Sequence, residues 1–359
     1  MPRITHRLPT PPPVTIDAVI EPALLARAAE FLPAQGGLFI ITTAPVWRHW
    51  GATLERALEG RSPRRQVLEL PDGEPHKRLA SVESLADELL ARGADRDSTI
   101  VAFGGGVVGD LAGFLASIYM RGVALEQIPT TLVAMLDSSL GGKTGVNLAG
   151  GKNLLGTFYH PRQILVDPLL LNTLPEREYR SGLAEAIKYA IIGDAELFEY
   201  MAAHIAPLHR REPAAMEHVI ARGLAQKAAV VARDEREGDL RRILNFGHTL
   251  GHALESATEY RHFLHGEAVA WGMIAATAIA SRLQRITAAD DERVRQTILA
   301  LCAPLPKVEI PPERVLACAA SDKKSQAGRL HFVLPRAIGE VEITSEVPRE
   351  TILAALAEL

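Results

Sequence analysis

Cysteine is almost absent. The 359 residues include only Cys302 and Cys318, which excludes a disulfide framework and any cysteine-rich zinc site. A metal ion, if held, must take histidine and carboxylate ligands, and a reducing compartment suits such a chain. Aromatic residues make up 5%, too few for the stacking platforms that hold single-stranded nucleic acid. Charge of one sign is not in excess either: a formal net charge of −4 leaves no basic field to attract nucleic acid or a membrane surface. Long hydrophobic runs are missing, since the longest weakly polar stretch, 268–280, is too short to span a bilayer. Residues 1–20, with Pro2, Pro9, Pro11, Pro12 and Pro13, lack the apolar core of a signal peptide, so a cytoplasmic location is expected.

What remains is ordinary globular chemistry. Hydrophobic residues at 47% and charged residues at 23% suit a soluble fold, and the length implies two or three domains. Short apolar segments at 37–43, 66–70, 99–103, 125–129 and 163–167 read as strands buried on both faces. Helical stretches, including 22–32 and 81–92, lie between them, and Ser81 with nearby acids suggests a capped start for the second. This alternation predicts a parallel sheet covered by helices on both faces, an α/β Rossmann-like domain over 1–172. From 173 to 359 the pattern turns mostly helical, with windows at 176–203, 213–235, 242–258, 265–285 and 290–301 and a strand-like piece at 330–334.

The 99–103 strand runs into Gly104-Gly105-Gly106-Val107-Val108-Gly109-Asp110 and an apolar helix. Glycines there let backbone approach a pyrophosphate, and the helix start offers free N–H donors; a tight steric turn is the plainer alternative. The carboxylate expected at the end of a neighbouring strand, for a ribose, is missing: the first strand ends Thr42-Thr43-Ala44-Pro45. The segment from Asp137 to Asn153 carries Gly141, Gly142, Gly145 and Gly151 beside Lys143 and Lys152, and reads as an anion-binding loop. Arg121, Lys188, Lys227 and Arg241 are basic groups in apolar or helical settings. Lys188 lies three residues after Glu185, on the same face of a helix whose alanine-rich flanks imply burial.

Histidine carries the sharpest signal. His248 and His252 are four apart, one helical face, and His265 opens the next helical window. Glu185 and His248 with either His252 or His265 make an open site of the kind catalytic zinc occupies. Glycines beside these histidines cost a helix about 1 kcal/mol each relative to alanine, which implies a close-packed neighbour. The intervening Glu of a metalloprotease helix is absent.

The strings PDGEPHKRL, GGGVVGDLAGFLASIYMRG, IPTTLVAMLDSSLGGKTGVN, GKNLLG, NTLPEREYRSGLAEAIKYA, KAAVVARDEREGDLRRILNFGHTLGHALE, LHGEAV and SDKK, in that order, resemble the 3-dehydroquinate synthase family of sugar-phosphate cyclases. The resemblance covers about residues 70–340. It implies zinc, with cobalt as a substitute, on Glu185, His248 and His265, and it makes His252 the acceptor of a substrate hydroxyl proton. Substrate contacts are implied at Asp137, Lys143, Asn153, Lys188, Lys227, Arg241 and Asn245, and at one lysine of the Lys323-Lys324 pair, Lys324 being the candidate. Arg121 resembles an arginine that reaches the phosphate across a homodimer interface. NAD contacts are implied at Thr43, Glu74, Lys77, Gly105, Gly106, Val107, Asp110, Thr130, Thr131, Asp137, Lys143, Lys152 and Thr173. Family members commonly carry an acid and an asparagine where this chain has Thr43 and Pro45. The implied reaction turns 3-deoxy-D-arabino-heptulosonate 7-phosphate into 3-dehydroquinate and phosphate by transient oxidation, elimination, re-reduction and aldol closure. Competing readings are a cyclase of sedoheptulose 7-phosphate, a polyol dehydrogenase and a non-catalytic scaffold of the same fold.

Overall fold

The computed structural model describes residues 14–60, 65–322 and 330–359. The first part contains β1 (Asp17–Ile20), β2 (Leu38–Thr42), α1 (Ala44–Ala57), β3 (Arg65–Glu69), α2 (Leu79–Ala91), β4 (Thr99–Gly104), α3 (Gly106–Ile118) and β5 (Ala124–Pro129). A hairpin of β6 (Lys143–Leu148) and β7 (Gly151–Phe158) follows, then β8 (Gln163–Val166). Six strands form one parallel sheet in the order β1-β8-β5-β4-β2-β3. The chain builds outward from β2 to β3 and then crosses back to β4 on the other side of β2. The crevice beyond the carboxyl ends of β2 and β4 is therefore the topological switch point, where open α/β sheets bind ligands.

Alternation along each strand sends side chains to opposite faces. Leu38, Ile40, Val101 and Phe103 enter one core, while Phe39, Ile41, Ile100 and Ala102 enter another under α2 and α3. The first of these cores does not stop at the sheet. It continues through Ile128, Leu132 and Leu136 into Tyr179, Leu183 and Ile187 of the helical part. That shared core joins the two parts.

The helical part comprises α4 (Glu176–Gly193), α5 (Ala195–Ala203), α6 (Ile205–His209), α7 (Pro213–Arg233), α8 (His248–Ala257), α9 (His265–Arg282), α10 (Ala288–Cys302), α11 (Pro312–Asp322) and α12 (Arg349–Leu356), with an antiparallel hairpin of β9 (Phe332–Ala337) and β10 (Glu340–Thr344). Nearly every residue of α9 from Gly266 to Ala280 is buried, as expected of a helix surrounded by others; it packs against α4, α8, α10, α12 and β9. No helix among the described residues is long and apolar enough to cross a membrane.

Several local expectations change. The segment 143–158 is a hairpin rather than a loop. Residues 24–30 form 3-10 turns, and β1 pairs β8 at the sheet edge. The 176–203 window breaks at Asp194, whose carboxylate accepts from Leu197 N and starts a new helix. The 242–258 window breaks at Gly247, φ +78°, so α8 begins at His248. Ser81 does not cap α2, which begins earlier at Leu79; the Ser81 hydroxyl donates to His76 O instead.

Candidate functional site

At the switch point, β4 ends in Gly104 and α3 begins at Gly106 with no side chain capping its first N–H groups. Those donors are left for an anion. A Cβ on Gly105 would meet Thr131 Cγ2 at 2.9 Å, and one on Gly106 would lie 3.1 Å from Ser138 Oγ. The turn thus abuts the chain after β5, where Ala134–Ser138 forms a π-helical turn, a distortion frequent at functional sites. Val107 is half-buried beside the turn, and Thr130 is buried after β5.

The π turn presents Asp137 to two lysines from the helical part. Lys227 on α7 donates to the Asp137 carbonyl at 2.6 Å and to its carboxylate, and Lys188 on α4 stands 3.3 Å from Oδ2. Both lysines are buried. Burial resists ionisation of Asp137, but the Lys227 and Lys188 charges more than offset it and hold the carboxyl below the usual range. For Lys227, burial together with the Arg241 and Lys188 charges outweighs Asp137, and the ammonium pKa is lowered. Lys188 moves the other way, because Glu185 and Asp137 outweigh its burial.

Lys188 leads to the metal candidates. Its Nζ is 2.6 Å from Glu185 Oε2, and Glu185 Oε1 faces His265 Nε2 at 3.4 Å and His248 Nε2 at 3.6 Å. His248 Nδ1 lies 3.0 Å from Phe246 O, and His265 Nδ1 lies 3.2 Å from Glu255 Oε2. A carbonyl and a carboxylate only accept, so each Nδ1 carries hydrogen, which orients Nε2 toward Glu185. His252 completes a trio whose ligand atoms lie within 4.8 Å of one another.

Burial works against ionisation of Glu185, yet the Lys188 charge and the two imidazoles hold it well below the usual carboxylate range. Burial pulls His248 down to about 3 despite Glu185, while the Glu185 and Glu255 carboxylates overcome burial and lift His265 to about 10. Both Glu185 oxygens are buried without a hydrogen bond of acceptable geometry. A buried carboxylate left in that state beside two oriented imidazoles fits a divalent cation. His265 is seated by the close approach of α9 to α4: a Cβ on Gly266 would lie 1.9 Å from Ser181 O. The glycine beside this histidine thus has the packed neighbour the sequence implied.

A third group surrounds the start of α3. Lys77 Nζ contacts both Asp110 Oδ2 and Asn153 Oδ1 at 2.5 Å, Asn147 donates to Glu74 Oε1 at 2.7 Å and Asn153 N donates to Asn147 Oδ1 at 2.8 Å. Burial raises the Asp110 pKa against the Lys77 charge, and Lys227 is near enough to lower it in turn. Glycine turn, lysine pair and imidazoles are therefore joined in one chain of contacts through Asp137, Lys188 and Glu185.

Lys152 reaches from the β6–β7 hairpin to the helical side, with Nζ 4.4 Å from the Tyr260 ring centroid. Lys143 pairs with Glu237, which also accepts from Asn245 Nδ2 at 3.4 Å. Arg241 is buried and donates to Gly141 O at 3.2 and 3.3 Å.

Other candidates stand apart from these networks. Thr43 is buried at the start of α1, and Thr173 Oγ1 accepts from Trp50 Nε1 at 2.8 Å. Arg121 is exposed in a left-handed turn and enters none of these networks. Lys323 and Lys324 lie outside the described residues, as does the proline-rich start. Sequence reasoning passed over Glu237, Glu255 and Tyr260. Glu255 had a signal, since it follows His248 by seven residues and so shares its helical face.

Two family models match the chain: 3-dehydroquinate synthase N-terminal over residues 67–181, and 3-dehydroquinate synthase C-terminal over 182–325. A protein named 3-dehydroquinate synthase from Solibacter usitatus (strain Ellin6076) is 50% identical over 341 residues, covering 94% of this chain and 95% of its own length. The solved structure of ValA, a 2-epi-5-epi-valiolone synthase from Streptomyces hygroscopicus subsp. jinggangensis 5008 with NAD+ and Zn2+ bound, superposes with a TM-score of 0.89 at 33% identity, covering 98% of this chain and 99% of that one. A 2-deoxy-scyllo-inosose synthase complexed with carbaglucose-6-phosphate, NAD+ and Co2+ gives 0.86 at 27%, covering 95% and 96%. With both halves matched in order and a relative 50% identical over nearly the whole chain, this chain belongs to the 3-dehydroquinate synthase family.

Proposed function

We infer that this chain converts 3-deoxy-D-arabino-heptulosonate 7-phosphate into 3-dehydroquinate and inorganic phosphate, using NAD and a divalent metal ion. The observation that carries this reading is the convergence of Glu185, His248 and His265 beside the Asp137–Lys188–Lys227 cluster, which itself abuts the glycine turn. Relatives at 45–50% identity bear the name of that activity.

Glu185, His248 and His265 would hold zinc, or cobalt in its place; the switch-point crevice, lined by Thr43, Gly105, Gly106, Val107, Thr130 and Thr131 with Glu74, Lys77, Asp110 and Thr173 nearby, would hold NAD. When bound, the ion supplies a Lewis acid for substrate oxygens and NAD a transient hydride acceptor. The protein's own residues do the rest. His252, its ring centroid 5.3 and 5.6 Å from those of His248 and His265, would take a hydroxyl proton and relay it with Lys143. Lys188, Lys227, Arg241 and Asn245 bind substrate oxygens, and Asp137 orients the two lysines. Asn153 is a further substrate contact, Lys152 contacts NAD, and Arg121 reaches the phosphate from a second copy in a homodimer. Lys324 is a further substrate contact. The division at residues 172 and 173 separates the cofactor half from the metal half, and a cytoplasmic location belongs to the same reading, with no nucleic acid or membrane partner.

The rival reading is a related cyclase acting on sedoheptulose 7-phosphate. The intact Gly141-Gly142-Lys143-Thr144-Gly145 string and His252 favour heptulosonate phosphate, and an intact open metal set disfavours a scaffold. The deciding experiment follows phosphate release and dehydroquinate with each sugar phosphate in turn, in the presence of NAD and zinc. Turnover of heptulosonate phosphate supports the reading; turnover of sedoheptulose 7-phosphate alone replaces it.

A further inference from the structure

Residues 234–241 form a loop braced from within. The Asp234 carboxylate accepts from Gly238 N at 2.7 Å, Asp239 N at 2.8 Å and Arg241 N at 3.0 Å. Three contacts dock this loop on the turn of Gly141, Gly142 and Lys143. Two involve groups assigned above to substrate: Arg241 on Gly141 O, and Glu237 on Lys143. The third does not. His160, just after β7, lies flat beneath Gly142, where a Cβ would stand 2.8–3.0 Å from three atoms of its ring. Its Nε2 is 2.8 Å from Glu235 Oε1. A carboxylate only accepts, so Nε2 is the donor.

The imidazole is largely covered, its side chain 13% exposed, while Glu235 is half exposed. The same loop is held at its other end, since Arg241 also donates to the Glu235 carbonyl. We propose that the His160–Glu235 pair is a latch that holds residues 234–241 against the 141–143 turn, and that His160 is thereby a positioning residue for Lys143 and Arg241. The hydrogen bond from His160 also holds the Glu235 carboxyl below its ordinary pKa, so the pair is charge-assisted. Neither latch residue is among those assigned to substrate. Each fixes a group that is: His160 supports the turn carrying Lys143 from below, and Glu235 anchors the loop that ends in Arg241.

The inference rests on the substrate roles given to Lys143 and Arg241. Its test uses the full chain with NAD and zinc, and compares His160→Ala, Glu235→Ala, the double variant and His160→Gln, which keeps an N–H donor. Each alanine variant should lower kcat/KM for heptulosonate phosphate about tenfold, the worth of one charge-assisted hydrogen bond, because it loosens both the substrate contact of Arg241 and the proton relay of Lys143. The double variant should be no worse than either single one, and His160→Gln should recover most of the loss. Amide exchange at Gly238, Asp239 and Arg241 should quicken in the alanine variants and slow again in His160→Gln. Unchanged exchange, or penalties that add in the double variant, would overturn the latch. A wild type inert toward heptulosonate phosphate would overturn the functional reading instead, and the exchange result would still decide the latch.

Discussion

Glu126 should make this protein less stable as pH rises, and replacing it should remove that dependence. The residue sits in β5, opposite Gln163 of β8, and is only 2% exposed. Its Oε2 is buried without a hydrogen-bond partner. Burial lifts its pKa from the ordinary 4.5 to about 7, against the pull of the Arg162 charge. The folded chain therefore holds this proton more tightly than the unfolded chain does. Its contribution to stability is fully present below pH 4.5 and is lost as pH rises through about 7. At about 1.4 kcal/mol per pH unit, that gap is worth about 3 kcal/mol. Glutamine mimics the neutral acid at every pH. Urea unfolding of wild type and Glu126→Gln, run from pH 4.5 to 8, should show the variant gaining about 3 kcal/mol on wild type across that range, with similar m values. A constant difference between the two would refute a proton held at Glu126.

Other perturbations test the site. Gly266→Ala forces a methyl against Ser181 O and should cost about 1–3 kcal/mol, with weaker metal retention; a normal unfolding midpoint and full metal content would contradict the close approach of α9 to α4. Glu255→Gln removes the carboxylate that orients His265, so metal affinity should fall about 10–100-fold, read by competition with a chelator; undiminished affinity would deny it that role. Thr43→Asp restores an acid at the end of β2, beside the glycine turn. It should tighten NAD binding about tenfold, as a charge-assisted hydrogen bond to ribose would, and discriminate against NADP, measured by calorimetry; equal affinities in both proteins would remove this strand end from the ribose site.

Local pattern was enough for the parts of the molecule whose physics is local. Five of the six sheet strands were legible because each is a short apolar run between turn residues, although β3, at the sheet edge, is only partly buried rather than covered on both faces. The glycine turn was visible because it must follow a strand and open a helix. His248 and His252 declared a shared face by their spacing. The family strings carried the activity itself. Periodicity names a face but not the neighbour that meets it, and there the sequence fell silent. β1 is short and half exposed at the sheet edge. The β6–β7 hairpin looked like a loop because its glycines serve the close approach of two strands: a Cβ on Gly156 would lie 2.1 Å from Thr144 O. Spacing left His252 and His265 equivalent as partners for Glu185, whereas the packing of α4 against α9 turns Glu185 Oε1 toward His248 and His265. Glu237, Glu255 and His160 belong to contacts between segments far apart in the chain or on adjoining helices. Only the assembled core, continuous from the sheet into the helices, brings them within a hydrogen bond of the groups they serve.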